Sequence, residues 1–263
     1  LQVEQIQMDE LYGRIRAVRA GEADQAERST AWLWTAMDPV SKLWLGLIVG
    51  PRTLGAAQGL VHQVAQRLAS GCLPTFITDG LADYQTALLT HFGDWQPRQN
   101  RQGRRLKPRW MPLPELNYAQ VIKKRRRRRL VGVRQRVVFG SLERIKAQLA
   151  AHGWHISTAF IERLNLSIRQ HVSGLGRRVI RLSQSMSSMR QQALLYQAYY
   201  NFCLPHTSLR QPLPQPRPTK GTGSMKVWQP CTPAMAAGLT DRVWTLREVL
   251  LFRVPPWPQE AAA

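Results

Sequence analysis

The sequence predicts an α/β fold: a mixed five-stranded sheet with helices on both faces. Three observations carry the prediction. Two nearly continuous apolar runs, Ala31–Met37 and Leu43–Val49, have the pattern of strands covered on both sides. Helix-period stretches alternate with short strand-like ones after residue 50. At 263 residues and 44 % apolar content, the chain can bury a substantial core.

Taken in order, Val3–Tyr12 reads as a strand, with Ile6 and Met8 on one face and Gln5, Gln7 and Asp9 on the other. Gly21–Ser29 is polar and reads as a loop or ribbon tip. Asp38-Pro39-Val40-Ser41 is a turn sequence between the two apolar runs, with proline at its second position. Leu54, Ala57, Leu60, Val61, Val64 and Leu68 recur at helical spacing, and Ser70-Gly71 ends that helix. Leu73–Thr78 is a short strand running into Asp79-Gly80, and Tyr84–Phe92 is a second helix. From Trp95 to Arg129 the composition changes: four prolines, dense Arg and Lys, and seven consecutive cations from Lys123 to Arg129. This stretch, about 95–130, is expected to be a basic insertion. Val131–Phe139 returns to a β-like pattern. Leu142–Ala150, Thr158–Leu175 and Met189–Phe202 follow as helices. Residues 1–205 are expected to form the main domain and 206–263 a proline-rich extension. Two antiparallel connections followed by βαβ units fit a ribonuclease H-like topology.

Charge narrows the partner. Thirty-seven Lys and Arg against sixteen Asp and Glu leave +21, with a pI near 11.3. Such an excess points to a polyanion, hence nucleic acid, without naming an activity. Lys123, Lys124, Arg125, Arg126, Arg127, Arg128 and Arg129, flanked by Arg98, Arg101, Arg104, Arg105, Lys107 and Arg109, read as phosphate-contacting surface. Trp95 and Trp110 suit either stacking on unpaired bases or core packing. Cys72, Cys203 and Cys231 fit neither a disulfide framework nor a metal-site spacing, which suits a reducing cytoplasm. His152, His155, His171 and His206 lack partners at zinc-like spacing and are expected to take no metal role. No apolar run approaches the ~20 residues of a membrane helix. The chain opens with Leu1 and enters a strand pattern at once, so an N-terminal portion is expected to be missing.

Three acids could carry chemistry. Asp9 lies on an apolar strand; Asp79 ends a strand at the carboxyl edge of the sheet, where open α/β sheets place their sites. Glu162 flanks the apolar seam of its helix and shares a stripe with Asn165 and Arg169, which by itself has the pattern of a solvated face. Magnesium takes carboxylate oxygens, water and phosphate. Two such ions ~4 Å apart can activate an attacking oxygen and stabilise a leaving one. Glu10 has the parity of Ile6 and Met8 and should face the other way, so Asp9 is the preferred ligand.

The segments Ile6-Gln7-Met8-Asp9-Glu10-Leu11, Phe76-Ile77-Thr78-Asp79-Gly80 and Phe160-Ile161-Glu162-Arg163-Leu164-Asn165, continuing through Gln170, resemble the DDE transposases of bacterial insertion sequences, most of all the insertion-sequence-one type. Tyr200-Asn201-Phe202 with Pro205-His206, and Thr232–Leu239, resemble their downstream segments. The resemblance implies Asp9, Asp79 and Glu162 as a metal-binding catalytic triad, two Mg2+ ions with Mn2+ as substitute, and Arg169 as a basic residue approaching DNA. It also implies transposon-end and target DNA as partners, a homodimer or larger assembly, and a cytoplasmic, nucleoid-associated protein. Two rivals stand beside it. One is a ribonuclease H-like nuclease that cuts without joining, the other a non-catalytic nucleic-acid-binding remnant. Such transposases carry an N-terminal end-recognition segment, which is expected to be missing here.

Overall fold

The computed structural model describes residues 1–15, 30–127, 129–176, 182–219, 221 and 223–253. The expected loop at 21–29 and the cation Arg128 lie outside them. Two compact units follow one another along the chain, Leu1–Tyr196 and Gln197–Ala263.

The first unit is built on a sheet. Its strands are β1 (Gln5–Arg14), β2 (Thr30–Met37), β3 (Trp44–Gly50), β4 (Thr75–Thr78), β7 (Tyr118–Arg126) and β8 (Arg129–Phe139). They lie in the order β3-β2-β1-β4-β7-β8. The first three are mutually antiparallel, β4 runs parallel to both β1 and β7, and β8 closes the edge antiparallel to β7. The sheet therefore has six strands where the sequence pattern suggested five. The additional one comes from the basic run, whose cations occupy the far end of the β7–β8 hairpin and extend the main sheet. β5 (Gly93–Gln99) and β6 (Arg105–Pro112) form a separate two-stranded ribbon.

Local chemistry accounts for the joints. Asp38 accepts the Val40 and Ser41 amides at 2.9 and 3.1 Å, which fixes the β2–β3 turn. β4 begins at Thr75 because Pro74 has no N–H for the ladder. Helix α1 (Leu54–Arg67) lies against β2 and β3, where a side chain at Gly46 would stand 2.9 Å from Leu60 Cδ1; glycine permits that approach. Helix α2 (Ala82–His91) packs on the same face through Tyr84, whose ring meets Trp34 edge-on at 5.6 Å. On the opposite face, α3 (Leu142–Ala150) adds Ile145 and Leu149 to Ile77, Ala119 and Val121 of the sheet. Helix α4 (Ala159–His171) is seated there too, because Gln7 on β1 donates to the Ser157 carbonyl and accepts the Ile161 amide. Helices thus cover both faces.

α4 is shorter than its apolar period suggests. It stops at His171, and Ser173–Leu175 continues as a 3-10 turn. At Gly174 the chain passes so close to Ser183 that a Cβ would lie 2.0 Å from its hydroxyl, an approach that glycine permits. Met186–Phe202 forms α5. Within the second unit, β9 (Gln211–Arg217) and β10 (Lys226–Gln229) form a ribbon. Thr232 caps α6 (Pro233–Ala236), and a Thr245/Glu248 capping box starts α7 (Leu246–Leu251).

Candidate active site

The acids meet where β4 ends. β4 is four residues long and wholly buried between its two parallel neighbours. Met8 on β1 stands in register with Thr78, the last residue of β4. Asp79 therefore leaves the sheet beside Asp9 while β1 runs on past it. Asp79 Oδ1 accepts the Leu81 amide at 3.0 Å, which turns the chain into α2.

Asp9 is held from two sides. Its Oδ1 accepts the Glu10 amide at 3.0 Å, and its Oδ2 accepts the Asn165 side-chain amide of α4 at 2.8 Å. Asn165 is 6 % exposed, and its Oδ1 lies 3.1 Å from Thr35 Oγ1. The Glu162–Asn165–Arg169 stripe is therefore not uniformly solvated: its middle member turns inward to Asp9. Glu162 stands in the first turn of α4, where Thr158 Oγ1 donates to it at 2.5 Å and Lys123 pairs with it. Asp9, Asp79 and Glu162 line one cleft of about 490 Å³, and Lys123 and Arg125 form part of its wall.

Glu10 does face the other way, as strand parity requires. Its Oε1 accepts Arg52 Nε at 2.9 Å, and its Oε2 accepts the Tyr84 hydroxyl at 3.3 Å. Even so, one oxygen each of Asp9, Glu10 and Asp79 lie within 4.8 Å of one another. Past the end of β4 nothing separates the two faces of β1, so consecutive residues converge on one space. Strand parity alone set Glu10 aside. The signal that restores it is the brevity of β4, which four residues between Pro74 and Asp79-Gly80 already suggest. Arg52 and Tyr84 have no comparable signature in the sequence.

Crowding like charges has a visible cost. Burial, and then the charges of Glu10 and Asp79, push the Asp9 carboxyl up from 3.8 to about 7. Burial and Asp79 likewise raise Glu10. Hard oxygen donors gathered so closely, in a pocket where burial and neighbouring carboxylates make Asp9 hold a proton near neutrality, fit a divalent cation such as magnesium.

The predicted basic residues fall into two groups. Lys123 and Arg125 reach the cleft. Lys124, Arg126, Arg127 and Arg129 are exposed on the outer half of the hairpin, with Arg127 at φ 48° at its tip. Arg169 is half-buried near the end of α4 and donates to the Leu175 carbonyl at 3.1 Å. No helix among the described residues is long and apolar enough to cross a membrane. No protein-family model matches the chain, and neither does any curated protein sequence.

Proposed function

We propose that this chain is a DDE-type transposase with a ribonuclease H-like core, cutting DNA strands and joining the freed 3′ ends to a target. The observation that carries the reading is the cleft itself: Asp9 and Asp79 from adjacent parallel strands and Glu162 from a helix laid across the sheet open on one space walled by cations. The strand order supports the fold assignment, with an antiparallel meander β3-β2-β1 followed by parallel β4 and β7.

In this reading Asp9, Asp79 and Glu162 hold two magnesium ions, with manganese as substitute. The ions, when bound, activate the attacking oxygen and offset the charge on the leaving one. The chain's own residues supply the rest. Asn165 fixes the rotamer of Asp9 through one hydrogen bond and is itself held near Thr35. Lys123 neutralises Glu162 in the free protein and is placed to meet a phosphate entering the cleft. The hairpin cations bind the backbone without reading sequence, so affinity falls steeply with salt. Joining two element ends calls for a dimer or larger assembly, acting on the chromosome in the cytoplasm.

Supercoiled plasmid incubated with the protein and MgCl2 tests the reading. Nicked circles should form with the wild type and vanish with Asp79→Asn, while both proteins still retain the plasmid in a gel shift. Nicking that survives the substitution overturns the site. Joining of a labelled oligonucleotide end into the plasmid separates a transposase from a nuclease that only cuts.

A further inference from the structure

The two tryptophans of the β5–β6 ribbon face one another across the strands, with ring centroids 5.4 Å apart, yet their surroundings differ. Trp110 is half-buried, and its indole N–H donates to the Leu89 carbonyl of α2 at 2.7 Å. Gly93 makes room for this: a Cβ there would lie 2.3 Å from the indole nitrogen. Trp110 thus roots the ribbon on the main unit. Trp95 is left 62 % exposed, with Leu106 also open at 41 %. A folded chain gains by covering so large an aromatic surface, and this one leaves it bare.

The surroundings of Trp95 indicate what covers it. Arg98, Arg101, Arg104, Arg105, Lys107 and Arg109 are all exposed. Among the described residues none of these six makes an ion pair or a side-chain hydrogen bond. The register sets Arg98 opposite the exposed Leu106, past a bulge whose extra residue lies on β6. Three residues of extended strand place it roughly 10 Å farther along the ribbon. Arg101 and Arg104 continue the charge to the tip. A flat aromatic ring at the root and a line of cations beyond it match a chain that offers a bare base face and then successive phosphates. Duplex DNA offers the phosphates but not the base face, because each base is covered by its stacked neighbours.

We propose that the β5–β6 ribbon grips an unpaired DNA strand, with Trp95 stacking on a base and Arg98, Arg101 and Arg104 holding the backbone. The surface lies outside the acidic cleft, and its binding needs no metal and no turnover. Failure here would leave the cleavage reading standing, and failure of cleavage would leave this one standing.

Fluorescence anisotropy of a labelled oligothymidylate, titrated with the full chain in EDTA, tests it. Trp95→Ala should weaken binding on the order of ten-fold, as loss of one stacked base does, and Trp95→Phe should recover most of the loss. Affinity for a blunt duplex should change by less than about two-fold, since the phosphate contacts remain. Replacing Arg98, Arg101 and Arg104 together by Gln should flatten the salt dependence on the single strand by about 2 in log–log slope. Trp95→Ala binding oligothymidylate like the wild type overturns the proposal. So does an equal loss on duplex and single strand, or a preference for oligouridylate over oligothymidylate.

Discussion

Replacing Asp9 by Asn should make the metal-free protein more stable, by an amount that grows as pH rises from 3.8 to about 7 and is full above that. The Asp9 carboxyl holds its proton up to about 7 in the folded chain, against 3.8 as the ordinary value. Folding therefore takes up a proton between those values. The contribution of this group to stability is complete below 3.8 and is lost as pH rises through 7. Keeping Asp9 ionised in the fold, from 3.8 to about 7, costs on the order of 4 kcal/mol. Coulomb repulsion gives the same scale: two charges within 4.8 Å repel by about 3 kcal/mol at an effective dielectric of ~20. Asn removes the charge and keeps an oxygen that can accept the Asn165 amide. At about pH 8 a gain of roughly 2–4 kcal/mol follows, or about 5–15 °C in Tm for a unit of this size. At about pH 5 the folded carboxyl is protonated while the unfolded one is not, so roughly 1–2 kcal/mol of the difference remains, and the two proteins should melt together only below 3.8. Millimolar MgCl2 at about pH 8 should raise the wild type and leave Asp9→Asn where it was. Thermal melts at both pH values, with EDTA or magnesium, read all of this. A variant no more stable than the wild type at about pH 8, or stabilised equally at both, would show that the acids do not repel in the fold.

Asn165→Ala removes the amide between Asp9 and Thr35 and should destabilise by about 1–3 kcal/mol in chemical denaturation. Because it also frees the Asp9 rotamer, the magnesium needed for half-maximal nicking should rise. Lys123→Ala leaves Glu162 without its counter-ion. Manganese should then bind several-fold more tightly without DNA, while duplex affinity falls; unchanged metal affinity in calorimetry would show that Lys123 does not screen the site. Gly140 has φ 78°, and a Cβ there would lie 2.2 Å from Asn117 Oδ1 and 2.9 Å from the Leu116 carbonyl. Gly140→Ala should therefore cost at least ~1–3 kcal/mol, seen as a lower denaturation midpoint without loss of metal binding.

The interior of the first unit was legible because burial writes itself into period. β2 and β3 are apolar almost throughout since both faces are covered, and α1, α3 and α4 show their buried stripes at helical spacing. The ribbons were not legible, for the same reason in reverse. Most residues of β5 and β6 are exposed, so no alternation of apolar and polar marks them. β9 carries prolines at 212, 214 and 216, a composition that denotes a loop unless the strand is an edge, as every strand of a two-stranded ribbon is. The basic run has no period that marks its strands. Its cations extend β7, and paired with Arg129–Phe139 they form opposed strands whose outer cations stand in solvent. At the site, Asp79 was readable from its place at a strand end. Asn165 was readable only as a polar residue on a helix, because its burial depends on an aspartate more than 150 positions away.

The distribution of charge around the cleft locates the place that calls for a cation. Glu10 is compensated by Arg52, and Glu162 by Lys123. Asp9 and Asp79 receive only neutral donors, an amide side chain and backbone N–H groups, and among the described residues neither forms an ion pair. A net charge of +21 does not relieve them, because water and salt screen exposed cations over about 10 Å. The uncompensated charge thus sits between two adjacent strands, flanked by acids that have counter-ions of their own. A divalent ion there would be held by the Asp9 and Asp79 carboxylates together, with Glu10 or Glu162 as a further oxygen donor. Lys123, which lines the same cleft, would then be placed to meet an incoming phosphate.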